Sequence, residues 1–409
     1  MNNDVNNDVS DDRDGTILVA GTGPAGLAAA LALAALDRPV VLAGPPPVFA
    51  DQRTTALMRP AVEFLQGLGL GDVLREHAAP LSTMRVVDAT ERLIRSPTVT
   101  FRAAEIGEEA FGLNIPNARL NAALADAARG EARISWHESL VEEWRLGLET
   151  VSARLADGTT VDAALAIAAD GRNSPARAAA GISAQTRRLP QSALVLNFGH
   201  ARHHEFTSTE FHTEHGPCTQ VPLPGGFRSS LVWVTRLEEA EELAALDEAM
   251  LSKRLERRLQ SFLGKVTVEA ARQVYPLSSA LPARFAARRI ALVGEAAHVF
   301  PPITAQGLNL GIRDVMDLAE VVRTHLDDPG STAALVLYDM RRRPDILARS
   351  SAVNLFNASL LSSLLPAQLA RSAGLGLLDR APFLRGFFMR EGMRPGSGFS
   401  ALLSSGRRT

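Results

Sequence analysis

The sequence predicts an α/β protein: a Rossmann-like nucleotide-binding domain interrupted by an antiparallel-sheet domain and followed by a helical C-terminus. Three observations carry that expectation. Near the N-terminus a short apolar run meets a glycine-rich turn and then an Ala/Leu-rich helix. Buried-strand runs of the same kind return at 164–168 and 289–294. Between 192 and 276 the pattern changes to short alternating segments, the period of half-buried strands.

Taken in order, residues 16–20 read as a buried strand that runs into Gly21-Thr22-Gly23-Pro24-Ala25-Gly26 and a helix over 27–36. Val40–Ala43 reads as a second strand, stopped by Pro45, Pro46 and Pro47, which completes a βαβ opening. Residues 54–70 carry a helical pattern, 85–88 and 98–102 read as strands, and 117–129 as a helix ended by Gly130. A hairpin turns at Asp157-Gly158, and the strand at 164–168 closes at Asp170-Gly171. Segments 194–198, 209–213 and 230–234 alternate, with Pro224-Gly225-Gly226 as a turn. A strand at 289–294 and a long helix over 307–326 follow, and the remainder is mostly helical. The expected organisation is a disordered tail at 1–15, a discontinuous nucleotide-binding domain at 16–80, 106–185 and 287–350, a substrate-binding sheet domain at 81–105 and 186–286, and a helical region at 351–409.

Composition removes several classes. The 409 residues exceed one ordinary core. A formal net charge of -2 gives no overall attraction to nucleic acid. A single cysteine, Cys218, excludes an internal disulfide framework and a cysteine-clustered metal site. The Asn/Asp-rich start lacks the basic and apolar regions of a signal peptide, and no apolar run reaches the roughly 18 residues of a spanning helix. No metal is expected: His203-His204 reads as a loop pair, and His212 with His215 lacks supporting carboxylates or thiols.

Chemistry-bearing motifs stand at three places. Gly21, Gly23 and Gly26 have G-x-G-x-x-G spacing between strand and helix, where glycines let the backbone approach a pyrophosphate and a helix N-terminus offers N–H groups; the plain alternative is a glycine-rich turn. The acid expected about 20 residues on, to bind ribose hydroxyls, is missing: the second strand ends Leu42-Ala43-Gly44, and Asp51 is the nearest following carboxylate. Asp170 and Ser174 stand at a strand end, where they serve a ligand or cap the next turn. Glu295, in Gly294-Glu295-Ala296-Ala297-His298, is placed to accept hydrogen bonds from sugar or ribityl hydroxyls. The stretch through Pro301-Pro302 and Ala305-Gln306-Gly307-Leu308-Asn309 then presents a turn and a helix start to a ligand that becomes anionic.

These three segments, in this order, resemble the signature set of the FAD-dependent aromatic hydroxylases of the para-hydroxybenzoate hydroxylase fold. Within that group the chain is most similar to the ubiquinone-biosynthesis hydroxylases. Arg53-Thr54-Thr55-Ala56-Leu57, Asn114-Ile115-Pro116-Asn117, Gln191-Ser192-Ala193-Leu194-Val195, and Tyr338 with Arg341, Arg342, Arg343 and Asp345 carry the likeness. It covers 16–393. The resemblance implies that Gly21, Gly23, Pro24, Ala25 and Gly26 hold the FAD pyrophosphate and that Arg53 lies near the pyrophosphate or the flavin. It implies that Asp170 supports FAD, and that Glu295, where the family usually has Asp, faces the ribityl chain. Pro301 would pack by the flavin ring, with Gly307, Leu308 and Asn309 at its pyrimidine edge. The implied activity is hydroxylation of a prenylated phenol-type ring in ubiquinone biosynthesis, by way of a flavin hydroperoxide, with NAD(P)H as electron donor and O2 as co-substrate.

No residue stands out as a catalytic base; His212 in the sheet is left unassigned. Residues 355–388 mix Leu, Phe and Ala with arginines, which suits a helical subdomain on the core or a peripheral contact with the inner face of a membrane from the cytoplasm. A ubiquinone-biosynthesis complex is a further implied partner. Strands at 194–198 and 231–234 offer an apolar pocket wall or a packing face. Two other readings remain. One is a hydroxylase of a small soluble aromatic acid, gripped by Arg228 or Tyr275; the other is a non-catalytic scaffold that keeps the fold. A halogenase is disfavoured, since no Trp-x-Trp-x-x-Pro pattern surrounds Trp136, Trp144 or Trp233.

Overall fold

The computed structural model describes residues 15–47, 51–91, 95–301, 307–361 (349–361 by backbone only), 372–374, 376–378 and 380–393. The expected tail, apart from Gly15, lies outside the described residues, as do Pro302 to Gln306 and much of the C-terminal region.

The first strand (Ile17–Ala20) and the first helix (Pro24–Ala34) are buried almost throughout. This is why both are apolar on every side: the strand is covered on both faces, as in parallel sheets generally. The strand lies between Leu165–Ala168 and Val40–Ala43, parallel to both and in direct register. Ile134–His137 extends the sheet beyond Val40–Ala43, Ile290–Leu292 extends it beyond Leu165–Ala168, and Ala286–Ala287 closes one edge antiparallel. The crossover helix Asn117–Gly130 buries Leu120, Leu124, Ala125 and Ala128 at helical spacing on the same core.

A second sheet has seven strands in the order Val266–Pro282, Ala184–His200, Arg228–Thr235, Gly216–Pro222, Thr207–Thr213, Thr83–Asp88 and Val99–Arg102. It is antiparallel except where Thr207–Thr213 runs parallel to Thr83–Asp88. Within this region the reading of strands alone needs correction. Leu237–Ala245 and Glu248–Arg258 are helices. The second is capped by Asp247, whose carboxylate accepts from the Met250 N–H at 2.7 Å. They cover one sheet face, where Leu194, Leu196, Phe198, Leu231 and Trp233 pack with Leu243, Leu251 and Leu255. Those strand positions therefore fill a core.

The helical pattern over 54–70 is also resolved differently. Thr54–Met58 is a strand paired antiparallel with Gly112–Pro116, and the helix begins only at Arg59, with Pro60 in its first turn. The β-branched Thr54 and Thr55 favour extension, and Pro60 supplies the helix start. The long helix Gly307–Thr324 turns Ile312, Val315, Leu318, Val321 and Val322 to the core around the parallel sheet.

Candidate functional site

The parallel strands end together, and their C-terminal ends gather the expected motifs, as in other open α/β sheets. Gly21 follows the first strand with φ +114, and a Cβ there would collide with the backbone of Ala169. A Cβ on Gly26 would collide with the carbonyl oxygen of Gly21, so helix and strand can approach this closely only without side chains. Gly23 is different: a Cβ there would meet nothing within 4 Å. Its lack of a side chain serves space outside the chain. The helix that starts after it has no side-chain cap and no acid in its first turn, so the positive end of its dipole is offered outward. Pro24 and Ala25 form that first turn, half-buried. Together these features fit an anionic pyrophosphate.

Asp170 follows the neighbouring strand. Its Oδ2 accepts from the Ala176 N–H at 2.9 Å, and Ser174 caps the short helix Pro175–Ala179 through the Arg177 N–H at 2.9 Å. Oδ1 is buried with no hydrogen-bond partner among the described residues. Burial pushes the Asp170 carboxyl above its ordinary range, against the bonds from Ser174 and Ala176. A buried acceptor left over after capping suits a ligand hydroxyl or a water.

Glu295 lies in the turn Gly294–Ala296, 3.4 Å from Arg172 Nε, and both side chains are about half exposed. This turn is fixed from below. Asp314 of the long helix accepts at Oδ2 from the Gly294 N–H (3.0 Å) and pairs there with His298 Nε2 (2.7 Å), while Oδ1 accepts from Arg342 Nε at 2.7 Å. Arg342 also reaches Asp317 at 2.7 Å and Asp345 at 3.2 Å, and Tyr338 donates to Leu292 O at 2.7 Å. Burial pulls the Arg342 guanidinium down, but Asp314, Tyr338 and Asp317 outweigh it and hold it firmly charged. The turn also packs tightly on the first helix: a Cβ on Gly294 would come within 2.9 Å of Ala25 Cβ.

Arg53 lies close enough to these turns to feel the charge of Glu295. Asp51 grips it at 2.7–3.0 Å, and its guanidinium lies 5.2 Å from the ring centre of Tyr275 on the large sheet. Burial pushes the Asp51 carboxyl up, but hydrogen bonds from Arg53 and Asn117 outweigh it and keep it low. Pro301 is buried, and Gly307 and Leu308 open the long helix. The Asn309 amide is committed to the strand beside it: Nδ2 donates to Ala56 O and Oδ1 accepts from Met58 N, both at 2.7 Å. His212 is buried and pairs with Glu210 at 2.7 Å, while His203 and His204 sit in a ring cluster with Phe206 and Phe227.

Next to Asn309 is a cavity of about 290 Å³. Met58, Met84, Met316, Met389 and Met393 line it, with Phe101, Phe111 and Phe388; Arg313, 3.3 Å from Asp345, is the one charged residue among its described lining. Separate parts of the fold build it: the Thr54–Met58 strand end and the helix Arg59–Leu65 that follows it, the edge of the large sheet, Phe111, the long helix and the C-terminal helix Pro382–Met393. Sequence reasoning missed this cavity and the Asp314 network, since each joins residues far apart in the chain. The advance signals were the concentration of methionines and phenylalanines after 382 for the cavity and the Tyr338, Arg342 and Asp345 cluster for the network.

Comparison with known proteins accords with this arrangement. The family model described as FAD binding domain matches residues 14–349. A ubiquinone hydroxylase of Rhodospirillum rubrum is 35% identical over 394 residues, covering 94% of this chain and 90% of the relative. The 3-demethoxyubiquinol 3-hydroxylase of Escherichia coli is 30% identical, over 90% of this chain and 96% of its own. In fold, the chain is similar to the crystal structure of PqsL from Pseudomonas aeruginosa, with a TM-score of 0.76 at 24% identity over 88% of this chain and 99% of that one. The glycine cradle, the uncapped helix and the unpartnered Asp170 oxygen all fit FAD, and with these matches the chain belongs to the FAD-binding-domain family and is an FAD-dependent monooxygenase.

Proposed function

We propose that this enzyme hydroxylates a phenol-type ring bearing a prenyl tail, in ubiquinone biosynthesis, with O2 as oxygen source and NAD(P)H as electron donor. The observation that carries the reading is the methionine- and phenylalanine-lined cavity beside Asn309. Methionine side chains are flexible and polarisable, so they pack well around a chain of branched apolar units. The relatives named as ubiquinone hydroxylases support the same substrate class.

Bound FAD supplies the electron-carrying and oxygen-activating chemistry. The chain's own residues bind, orient and keep water out. Gly21, Gly23, Pro24, Ala25 and Gly26 cradle the pyrophosphate. Asp170 and Glu295 take hydroxyls of the sugar-like chain, and Arg53 guards the flavin edge. Pro301, with Gly307, Leu308 and Asn309, forms the wall and helix start offered to the ring. The dipole of the long helix Gly307–Thr324 favours negative charge at that end. The nucleotide-binding role belongs to 16–80, 106–185 and 287–350; the sheet domain at 81–105 and 186–286 shares the substrate role, giving Met84 and Phe101 to a cavity otherwise lined largely by the Thr54–Met58 strand end, the long helix and the C-terminal helix.

The C-terminal helix also supports a peripheral membrane contact. Phe383 and Phe388 are 69% and 54% exposed, beside Arg385 and Arg390, and Phe388 lines the cavity as well. A tail can then pass from the lipid surface into the cavity at this helix. No helix among the described residues is long and apolar enough to cross a membrane. The soluble-acid alternative is weaker. Arg228 is paired with Glu269 at 2.7 Å, and Tyr275 lies under Arg53 with its hydroxyl bonded to Gln273; neither lines the cavity.

Gly392 lines the cavity, and a Cβ there meets nothing within 4 Å, so Gly392→Phe fills the space without disturbing the backbone. The expected result is a KM at least tenfold higher for a farnesylated phenol and unchanged for the same phenol without a tail, with FAD content as in the wild type. Equal KM values for both substrates in variant and wild type would remove the tail from this cavity.

A further inference from the structure

The fold places a ribose-gripping carboxylate at the end of the second strand, and this chain has Gly44 there. The backbone explains the absence. Gly44 has φ +147, a conformation side chains rarely adopt, and a Cβ would lie 3.1 Å from Thr22 Cγ2. Nearby groups do not substitute. The residues 45–50 carry no carboxylate. Asp51 is committed to Arg53 and Asn117, and the Thr22 hydroxyl donates to Pro45 O. Asp37 precedes the strand, at its opposite end, and pairs with Arg133 at 2.7 Å.

One strand over, the situation is different. Ile134–His137 runs parallel to Val40–Ala43, with His137 opposite Ala43. The Gly44 N–H donates to His137 O at 3.0 Å, and Trp136 Nε1 donates to Gly44 O at 2.9 Å, so the two strand ends are tied together. The next residue is Glu138, which the register sets beside Gly44. Arg129 lies 4.6 Å over the Trp136 ring and reaches Glu138 Oε1 at 3.4 Å. The carboxylate is thus held at one oxygen, and its side chain is 56% exposed, which leaves the other oxygen open to hydroxyl donors.

We propose that Glu138 is the acid that binds the ribose hydroxyls of FAD, displaced from the second strand to its neighbour, with Arg129 and Trp136 as the residues that position it. A carboxylate beyond the end of a parallel strand meets the same edge of the sheet, so the displacement keeps the nucleotide where the glycine cradle needs it.

The test is titration of the full-length apoprotein with FAD and, separately, with FMN, followed by flavin fluorescence. FMN keeps the flavin, the ribityl chain and one phosphate but has no adenosine ribose. Glu138→Gln preserves size, and the site is on the surface. The expected result is a Kd for FAD raised about tenfold, the cost of losing charge-assisted hydrogen bonds, with the FMN affinity and the melting temperature of the apoprotein unchanged. An unchanged Kd for FAD would overturn the proposal. Equal weakening of both flavins would overturn it too, because the substitution would then be acting through the fold.

Discussion

At the scale of single residues, the glycine cradle separates ligand effects from folding effects. Gly26 faces the Gly21 carbonyl, and Gly23 faces open space. Gly26→Ala is expected to lower both the melting temperature and FAD content, since backbone must move to admit the methyl. Gly23→Ala should leave the melting temperature of the apoprotein within a degree or so and raise the Kd for FAD at least tenfold, since its methyl meets only the incoming pyrophosphate. Thermal melts of both apoproteins, read beside flavin titrations, check this pair. Asp170 gives a pH-dependent counterpart. Its folded carboxyl titrates above its unfolded value because burial disfavours the charge. The burial penalty is therefore absent at low pH, below the unfolded pKa of about 3.9, and grows as pH rises through the folded pKa. Asp170→Asn removes that penalty. The apoprotein variant should be at least as stable as the wild type at neutral pH, with the difference vanishing near pH 3, while FAD binds more weakly. A variant less stable at neutral pH than at pH 3, relative to wild type, would contradict it.

At the scale of elements, the Asp314 network ties the Gly294–Ala296 turn, the long helix and the helix Thr332–Leu361 into one unit. Asp314 and the Arg342 side chain are 0% and 1% exposed, so removing one partner leaves a buried charge undercompensated. Asp314→Ala should cost about 3–5 kcal/mol in denaturant unfolding of the apoprotein. A loss well below 1 kcal/mol would mean that Asp317 and Asp345 suffice for Arg342. How far such elements could be read in advance depends on where their signals lie. The βαβ opening was legible because apolar strands, glycine spacing and a proline stop are all local. The positions of Asp170 and Glu295 just beyond buried strands were legible in the same way. The strand Thr54–Met58 was not, because its pairing with Gly112–Pro116 and its two bonds to Asn309 come from residues about 60 and 250 positions away. The helices Leu237–Ala245 and Glu248–Arg258 were hidden between strongly alternating strands, although the glutamates of the first and the Asp247 cap of the second were present. Asn309 shows the limit at a candidate site residue. The motif marks its position, but only the structure shows its amide fastening a strand instead of reaching outward.

At the scale of the whole molecule, the parallel sheet brings the candidate cofactor-binding turns to one edge, and the seven-stranded sheet, backed by its own helices, contributes Met84 and Phe101 to the cavity. The C-terminal helix Pro382–Met393 closes the methionine-lined cavity and carries exposed Phe383 and Phe388. In this arrangement the proposed tail site opens beside the exposed phenylalanines of that helix. The central claim is that the bound flavin is reduced and re-oxidised in the service of a prenylated phenol. The most direct test is to reduce the FAD-loaded enzyme with NADPH beside a farnesylated phenol, admit 18O2, and analyse the phenol by mass spectrometry. Flavin bleaching is expected to be faster with the phenol present, and the product to carry one atom of 18O. Flavin that is reduced and re-oxidised without any labelled phenol would contradict it.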